Sequence, residues 1–409
     1  MTAVRVLMIG LNSGYEPLLR RRPDVELYVL EEPDIIAANP TAFAADWLRA
    51  VRPGRYQQCA QALTAARAWH AEMRFDAVLP GMEYAVTTAS DLAEAWGLGG
   101  PGAAAVRACT DKHALRLLAA EAGLPQPRFA TVTSPDDVRD FLDGRPVVLK
   151  PTNRRASVGV VRINSESEVE GAWRFAADAH EGARTAADRD LVWRFQVEEY
   201  LDGPEVSVES VVAAGDVVFD NVTAKRTVGG RYFTEVAHTV PAPLDSTTRE
   251  ELVAAVHTLL AAMRAVDGVF HSEWRLGKDG PRLIECAARP PGDLIPFLLA
   301  RVCGVDLYEA FVTVLSRRPL TLSPVANGVA AVRFFQPPPG EFVRLDGAGA
   351  LADAPDIPLY EVNLHAGQRV PAFENSWQRA GYYVVESTDH ATLERRIETI
   401  ERKLTFVVR

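Results

Sequence analysis

What this sequence has little of already excludes several classes of protein. Its four cysteines, Cys59, Cys109, Cys286 and Cys303, are scattered, with no C-x-x-C pair and no zinc-ligand spacing. That usage fits a reducing compartment, and a cytoplasmic location is expected. No apolar run reaches the roughly 18 residues of a membrane helix. The opening MTAVRVLMIG lacks the basic start and the cleavage site of a signal peptide. Positive charge is in deficit: 44 Lys plus Arg stand against 54 Asp plus Glu, a formal net charge of −10. That balance argues against a general nucleic-acid binder and against a binder of anionic membranes. Internal repeats and low-complexity segments are absent as well. What is present, 24% charged and 48% hydrophobic residues, is ordinary for soluble globular chains, and 409 residues imply about two to three domains.

The first hundred residues alternate apolar runs with helical text. Runs at 4–9, 25–30 and 75–79 suit buried parallel strands, and 62–73 and 88–96 suit helices, which together predict an open α/β sheet. Gly10 to Gly14 has half of a dinucleotide fingerprint but lacks its third glycine, so a tight turn is the simpler reading. Near residue 110 a second region begins. Thr110 or Asp111 can cap a helix, and Lys112 then sits in its first turn, where a cation opposes the helix dipole unless an anion is near. The run 146–149 ends in Lys150, well placed to reach a phosphate. Residues 152–159, holding Arg154, Arg155 and Ser157, read as a mobile basic loop able to close over a polyphosphate. Glu205, Ser207 and Glu209 share one face of a strand, for which a half-exposed edge is the plain expectation. Residues 252–265 form an amphipathic core helix whose His257 is read as structural. Asp293 is expected to cap a helix running to Cys303, and Asp306 the next.

The stretch 268–296, GVFHSEWRLGKDGPRLIECAARPPGDLIP, places acidic residues inside strand-like text. Runs 270–276 and 283–288 predict an antiparallel hairpin across a loop at 277–281, since Pro281 has no N–H for a ladder. Leu276 then faces Arg282, and Glu273 falls opposite Glu285. Facing like charges about 5 Å apart repel, so a cation is expected between them. The side-chain period of two adds His271 to the Glu273 face and Arg289 to the Glu285 face. Oxygen-only ligands suit magnesium, which binds through one or two carboxylates together with phosphate oxygens. Spacing alone equally admits a solvated hairpin with charges on its outer face.

Four blocks, TDKHALRLLAAEAGLPQP, VVLKPTNRRASVGV, VEEYLDGPEVSVE, and HSEWRL with LIECAARPPGD, together resemble the ATP-grasp superfamily. The chain looks most like its bacterial carboxylate–amine ligases, the L-amino-acid ligases or dipeptide synthetases. Ala287, where many superfamily members carry asparagine, is shared with that subgroup. The lid loop is poorer in glycine and richer in arginine than usual. The resemblance implies an α/β chain with the ATP-grasp fold: an amino-terminal open α/β (Rossmann-like) domain, 1–108, a lid region, 109–196, and a larger α+β carboxyl-terminal domain, 197–409.

The resemblance also implies roles. Lys112, Lys150 and Ser157 match phosphate-contacting positions, Glu198, Glu199 and Leu201 the adenine segment, and Glu205 the ribose ligand. Glu273 and Glu285 match magnesium ligands, manganese being an alternative metal, and Arg289 matches the arginine that holds the carboxylate and acyl phosphate. Glu235 and His238 look like the pair beside metal and phosphate, either of them a candidate to take the amine proton, and Asp293 occupies a substrate-pocket position. The implied reaction joins an amino acid or small carboxylic acid to an amine with ATP, releasing ADP and phosphate. Small-molecule carboxylate and amine partners and a homodimer are expected. Peptide-tail ligation, carboxyphosphate chemistry and a non-catalytic nucleotide-binding role are the alternatives.

Overall fold

A computed structural model describes residues 3–352 and 354–409. The amino-terminal sheet is parallel, in the order Leu48–Pro53, Val25–Glu31, Val4–Ile9, Ala77–Pro80. Three of these strands are the apolar runs of the sequence. The fourth, Leu48–Pro53, reads LRAVRP, and its half-exposed edge position carries two arginines that hid it. Helices Gln61–Met73 and Val86–Trp96 cover the sheet, the second ending at Gly97 with φ +67°. Gly10 takes φ +73°, and a side chain there would meet the Tyr56 hydroxyl at 2.6 Å, so this glycine serves a tight turn.

The lid is a four-stranded antiparallel sheet, Phe129–Val132, Phe195–Glu199, Val147–Pro151, Val161–Ile163, backed by helices Pro135–Leu142 and Val169–Ala177. Its last strand straddles the expected boundary at 196/197. Helix Lys112–Glu121 also departs from that division, because Leu115 and Ala119 pack with Leu252, Trp274 and Leu283 of the carboxyl-terminal core.

The carboxyl-terminal domain is built on eight strands. In spatial order they are Gly280–Ala287, Gly268–Gly277, Glu205–Ala213, Asp216–Thr227, Glu235–Val240, Val329–Phe334, Gly381–Ser387 and Leu359–Val362. Glu205–Ala213 is therefore a central strand, not an edge, and Ser207 and Glu209 are fully buried. The amphipathic helix spans Ser246–Ala262, with Leu252, Val256, Leu259 and Leu260 inward; His257 is exposed and bonds Asp220 at 2.6 Å. Helices Ile295–Val302 and Leu307–Leu315 join two domains: Leu298 and Phe311 share one apolar cluster with Val6 and Leu79 and with Val332. That shared core brings the loop after Ala77–Pro80 against the end of the hairpin. No described helix is long and apolar enough to cross a membrane.

Candidate functional site

The hairpin strands Gly268–Gly277 and Gly280–Ala287 do place Glu273 opposite Glu285. The route differs from the one expected. The turn is only Lys278 and Asp279, Pro281 lies within the ladder opposite Leu276, and Arg275 faces Arg282. A bulge at Ile284 then shifts the register by one residue and restores the Glu273–Glu285 pairing. The two departures cancel.

Arg116 holds that bulge. It is fully buried, and its guanidinium donates to the Leu283 carbonyl at 2.9 Å, to the Ile284 carbonyl and to Glu198 Oε1 at 2.7 Å. Glu198 also accepts from Lys150, whose Nζ lies 2.6 Å from Oε2, and from Gln196 at 2.6 Å. Burial would raise the Glu198 carboxyl, but Arg116 and Lys150 hold it below the usual value; burial pushes the Lys150 ammonium down. One arginine thus ties helix Lys112–Glu121, the last lid strand and the hairpin together. Lys112 completes the arrangement: its Nζ is 3.1 Å from Glu285 Oε1 and donates to the Arg154 carbonyl at 2.7 Å.

Glu273 is met from the other side by Lys225, 2.5 Å from Oε1. Lys225 is almost wholly buried and also lies 3.1 Å from Glu205 and 3.4 Å from Glu235. Burial lowers its ammonium, but the three carboxylates prevail and raise it. His271 spans Glu209 at 3.0 Å and Glu273 at 3.1 Å. Burial opposes its charged form, yet the two carboxylates push the imidazole up to about 9. Glu273 is correspondingly held well below the carboxylate range: burial opposes this, and Lys225 and His271 overcome it.

Of these groups, Lys112, Lys150, Glu198, Glu273 and Glu285 line an open cleft between lid and carboxyl-terminal domain, about 700 Å³ with its open mouth included, and Arg154 and Arg155 of the lid loop lie in the same wall. Val148, Val160, Leu201, Phe233 and Ile284 give it an apolar part, while Lys112, Lys150, Glu273 and Glu285 give it a charged one. Glu199, Glu205, Glu235 and Ser157 are also in its wall. Ser157 and its neighbour Ala156 both have φ +56°, a left-handed pair that costs about 1–2 kcal/mol per non-glycine residue. Glu205 is bound by Lys225 and by Arg275 at 2.7 Å, so its oxygens are already engaged.

Among the described residues no three His, Cys, Asp or Glu side chains converge to hold a metal by themselves. The opposed pair Glu273 and Glu285 nevertheless fits a hard divalent ion that takes its remaining oxygens from phosphate and water. Glu235, expected beside the metal, joins this pair only through Lys225. Its Oε2 accepts from Ser376 at 2.9 Å and Arg379 at 3.1 Å.

Three expected residues, Arg289, Asp293 and His238, lie outside the cleft wall. Arg289 crosses to the amino-terminal domain, its Nε 2.7 Å from Glu83 Oε2. Asp293 does not cap a helix: the helix starts at Ile295, and Asp293 and Leu294 have φ +57° and +64°. That strained turn aims the Asp293 carboxylate inward. Arg379 grips it at 2.5 and 2.9 Å, and His238 Nε2 lies 3.2 Å away. Burial would raise Asp293, but Arg379 and His238 hold it well below the usual range. His238 is buried, and its Nδ1 has no partner among the described residues.

Sequence reasoning missed Arg116, Lys225, Arg379 and Glu83. Two left a trace: Lys225 is the first of two basic residues near the end of strand Asp216–Thr227, and Arg116 falls beside Leu115 on the buried face of its helix. Arg379 and Glu83 left none.

Comparison with known proteins agrees with this architecture. Residues 144–296 match the ATP-grasp domain model, and residues 333–409 match L-amino acid ligase C-terminal domain 2. Alanine–anticapsin ligase of Bacillus subtilis (strain 168) is 27% identical over 256 residues, 59% of this chain and 54% of that protein. The chain thus spans about half the length of that relative. D-alanine–D-alanine ligase of Pseudomonas entomophila (strain L48) is 24% identical over 233 residues, 53% of this chain and 67% of the relative. The crystal structure of L-amino acid ligase from Bacillus licheniformis superposes with a TM-score of 0.81 at 20% identity, each chain covered at 100%. With its lid, its opposed hairpin carboxylates and these matches, the chain has the ATP-grasp fold and carries an ATP-grasp domain over residues 144–296.

Proposed function

We propose that this protein is an ATP-dependent carboxylate–amine ligase that joins an amino acid or small carboxylic acid to an amine. The observation that carries the reading is the cleft itself: an apolar slot leading to two opposed carboxylates flanked by Lys112 and Lys150. That order suits a purine base at one end and a metal-bound triphosphate at the other. The three similar proteins named above are ligases, which supports the same reaction class, and the four free thiols suit a reducing cytoplasm.

Magnesium held by Glu273 and Glu285 would supply charge neutralisation at the phosphate oxygens. Lys112 and Lys150 leave their carboxylate partners to hold those oxygens, and Arg289 orients the substrate carboxylate. A carboxylate oxygen attacks the γ-phosphorus, the bond to ADP breaks, and an acyl phosphate forms. The lid loop 152–159 excludes water from it. An amine nitrogen then attacks the acyl carbon, and phosphate departs. His238, held 3.2 Å from Asp293, is assigned to take the amine proton. Glu235, already bound by Ser376 and Arg379, supports rather than accepts.

The test is ADP release across a broad panel of amino-acid pairs, followed by mass measurement of the product. Amine-dependent release with a product lighter by one water than the pair is expected. Absence of amine-dependent release across the panel sinks the reading, and bicarbonate-dependent release in its place would favour a carboxylase-like enzyme.

A further inference from the structure

Residues 374–379 of the carboxyl-terminal domain form a short turn that closes on itself. Asn375 accepts from the Trp377 N–H at 3.0 Å, and Gln378 Oε1 accepts from the N–H groups of Glu374 and Asn375 at 2.6 and 3.1 Å. Two of its side chains hold carboxylates of the substrate side. Ser376 donates to Glu235 at 2.9 Å, and Arg379 grips Asp293 at 2.5 and 2.9 Å and reaches Glu235 at 3.1 Å. Trp377, lying between them in sequence, meets the lid instead. Its ring is 4.0 Å from the guanidinium carbon of Arg184 and 5.4 Å from that of Arg155.

Arg155 makes this contact consequential, because it lies in the cleft wall beside Glu273 and Glu285. What holds Arg155 therefore holds the lid loop 152–159 over the charged end of the cleft. The loop needs such support: Ala156 and Ser157 both have φ +56°, and residues in that region stay there only when their surroundings fix them. Within the lid, Glu181 accepts from Arg155 at 3.2 Å and Trp193 stacks on Arg154 at 4.0 Å, but these partners move with the lid. From across the cleft come the Lys112 ammonium, which donates to the Arg154 carbonyl at 2.7 Å, and the Trp377 ring. Lys112 turns to the phosphates when nucleotide binds. Trp377 takes no part in phosphate chemistry, so its hold persists.

We infer that Trp377 is a positioning residue that holds the lid loop closed from the carboxyl-terminal domain. The turn that grips Asp293 and Glu235 is the turn that carries this ring, so closure of the loop is tied to the order of the substrate side. This rests on the ligase reading and deepens it. With the loop held, water is kept from the acyl phosphate until an amine attacks. With the loop released, water attacks in place of the amine, the carboxylic acid and phosphate are returned, and ADP is formed without amide.

The test is hydrogen exchange in residues 152–159 of the full chain, with and without magnesium and a non-hydrolysable ATP analogue. Beside it, ADP and amide are measured in a mixture of L-amino acids with ATP. Trp377→Leu keeps an apolar side chain and removes the ring; two lost cation–π contacts are expected to raise loop exchange about tenfold. Exchange in strands Val329–Phe334 and Gly381–Ser387 and the melting temperature are expected to stay as in wild type. Trp377→Phe, which keeps a ring face, is expected to remain within about threefold of wild type. ADP released per amide formed is expected near one in wild type and about threefold or more higher in Trp377→Leu. Unchanged loop exchange in Trp377→Leu overturns the inference. So does a rise spread equally over the two strands, which would make Trp377 a residue of the domain's own stability, and so does a freed loop with ADP per amide unchanged. Wild type that forms no amide from the mixture defeats the ligase reading instead, and loop exchange still decides whether Trp377 holds the loop.

Discussion

The hairpin and the contacts of Arg379 hold their carboxylates in different ways. Glu273 is met by the Lys225 ammonium at 2.5 Å and the His271 imidazole at 3.1 Å, and Glu285 by the Lys112 ammonium at 3.1 Å. Asp293 is gripped at both oxygens by Arg379, which also reaches Glu235 and lies 3.8 Å over the Phe334 ring. An ammonium is a compact point charge on a flexible stem, whereas a guanidinium is a planar fork that locks a carboxylate geometrically. The hairpin carboxylates can therefore exchange one cation for another. The Asp293 and Glu235 carboxylates are held in place by the one guanidinium they share.

The sharpest way to break this contrast is to remove the fork that supports the hairpin. Arg116→Met strands the buried carboxylate of Glu198 and the carbonyls at the Ile284 bulge. Loss of a buried partner typically costs about 3–5 kcal/mol, to be read in urea unfolding. A cost below about 1 kcal/mol would show that Glu198 and the bulge hold themselves.

Next in size is Glu285→Gln. Losing one of two carboxylates for a divalent ion removes several kcal/mol of charge stabilisation, about 10²–10³-fold in ADP release at saturating magnesium. Unchanged turnover overturns the metal assignment and the idea that these carboxylates exchange cations.

A smaller, more selective effect is expected from Arg379→Gln. If the gripped Asp293 only orients groups, turnover falls about 10–100-fold through misplacement while nucleotide affinity is kept. A variant that loses nucleotide binding equally would erase the distinction between the two regions.

The smallest effect is in pH. The folded state depresses the Asp293 pKa, so its contribution to stability is present above the ordinary aspartate value of about 3.9 and is lost as pH falls through the folded pKa. The stability difference between wild type and Asp293→Asn should therefore be constant from pH 7 to about 4 and shrink below it. A difference independent of pH would mean that Arg379 does not bind the ionised form.

Parts of the site were legible in the sequence for local reasons. Lys112 in a first helical turn and Lys150 at the end of a buried strand are anomalies against nearby text, and both reach carboxylates in the cleft. The expected cap at Asp293 was not formed, because a left-handed turn at 293 and 294 redirects that side chain to Arg379. Dipeptide signals describe the helix start they favour, but an ion pair formed across 86 residues of sequence outweighs a cap worth about 1 kcal/mol. The edge strand Leu48–Pro53 was hidden because an edge tolerates the charges that a central strand does not.

The sequence by itself determined the alternation of strands and helices, the helices with one apolar face, and the placing of two glutamates on one side of a hairpin. These follow from periods of 2 and 3.6 set by backbone geometry, which every residue obeys without reference to distant chain. Only the tertiary structure decided which cation meets which carboxylate: Lys225 for Glu273, Arg379 for Asp293 and Glu83 for Arg289. Such pairing depends on distance through space and on exclusion of water, and spacing along a chain carries neither.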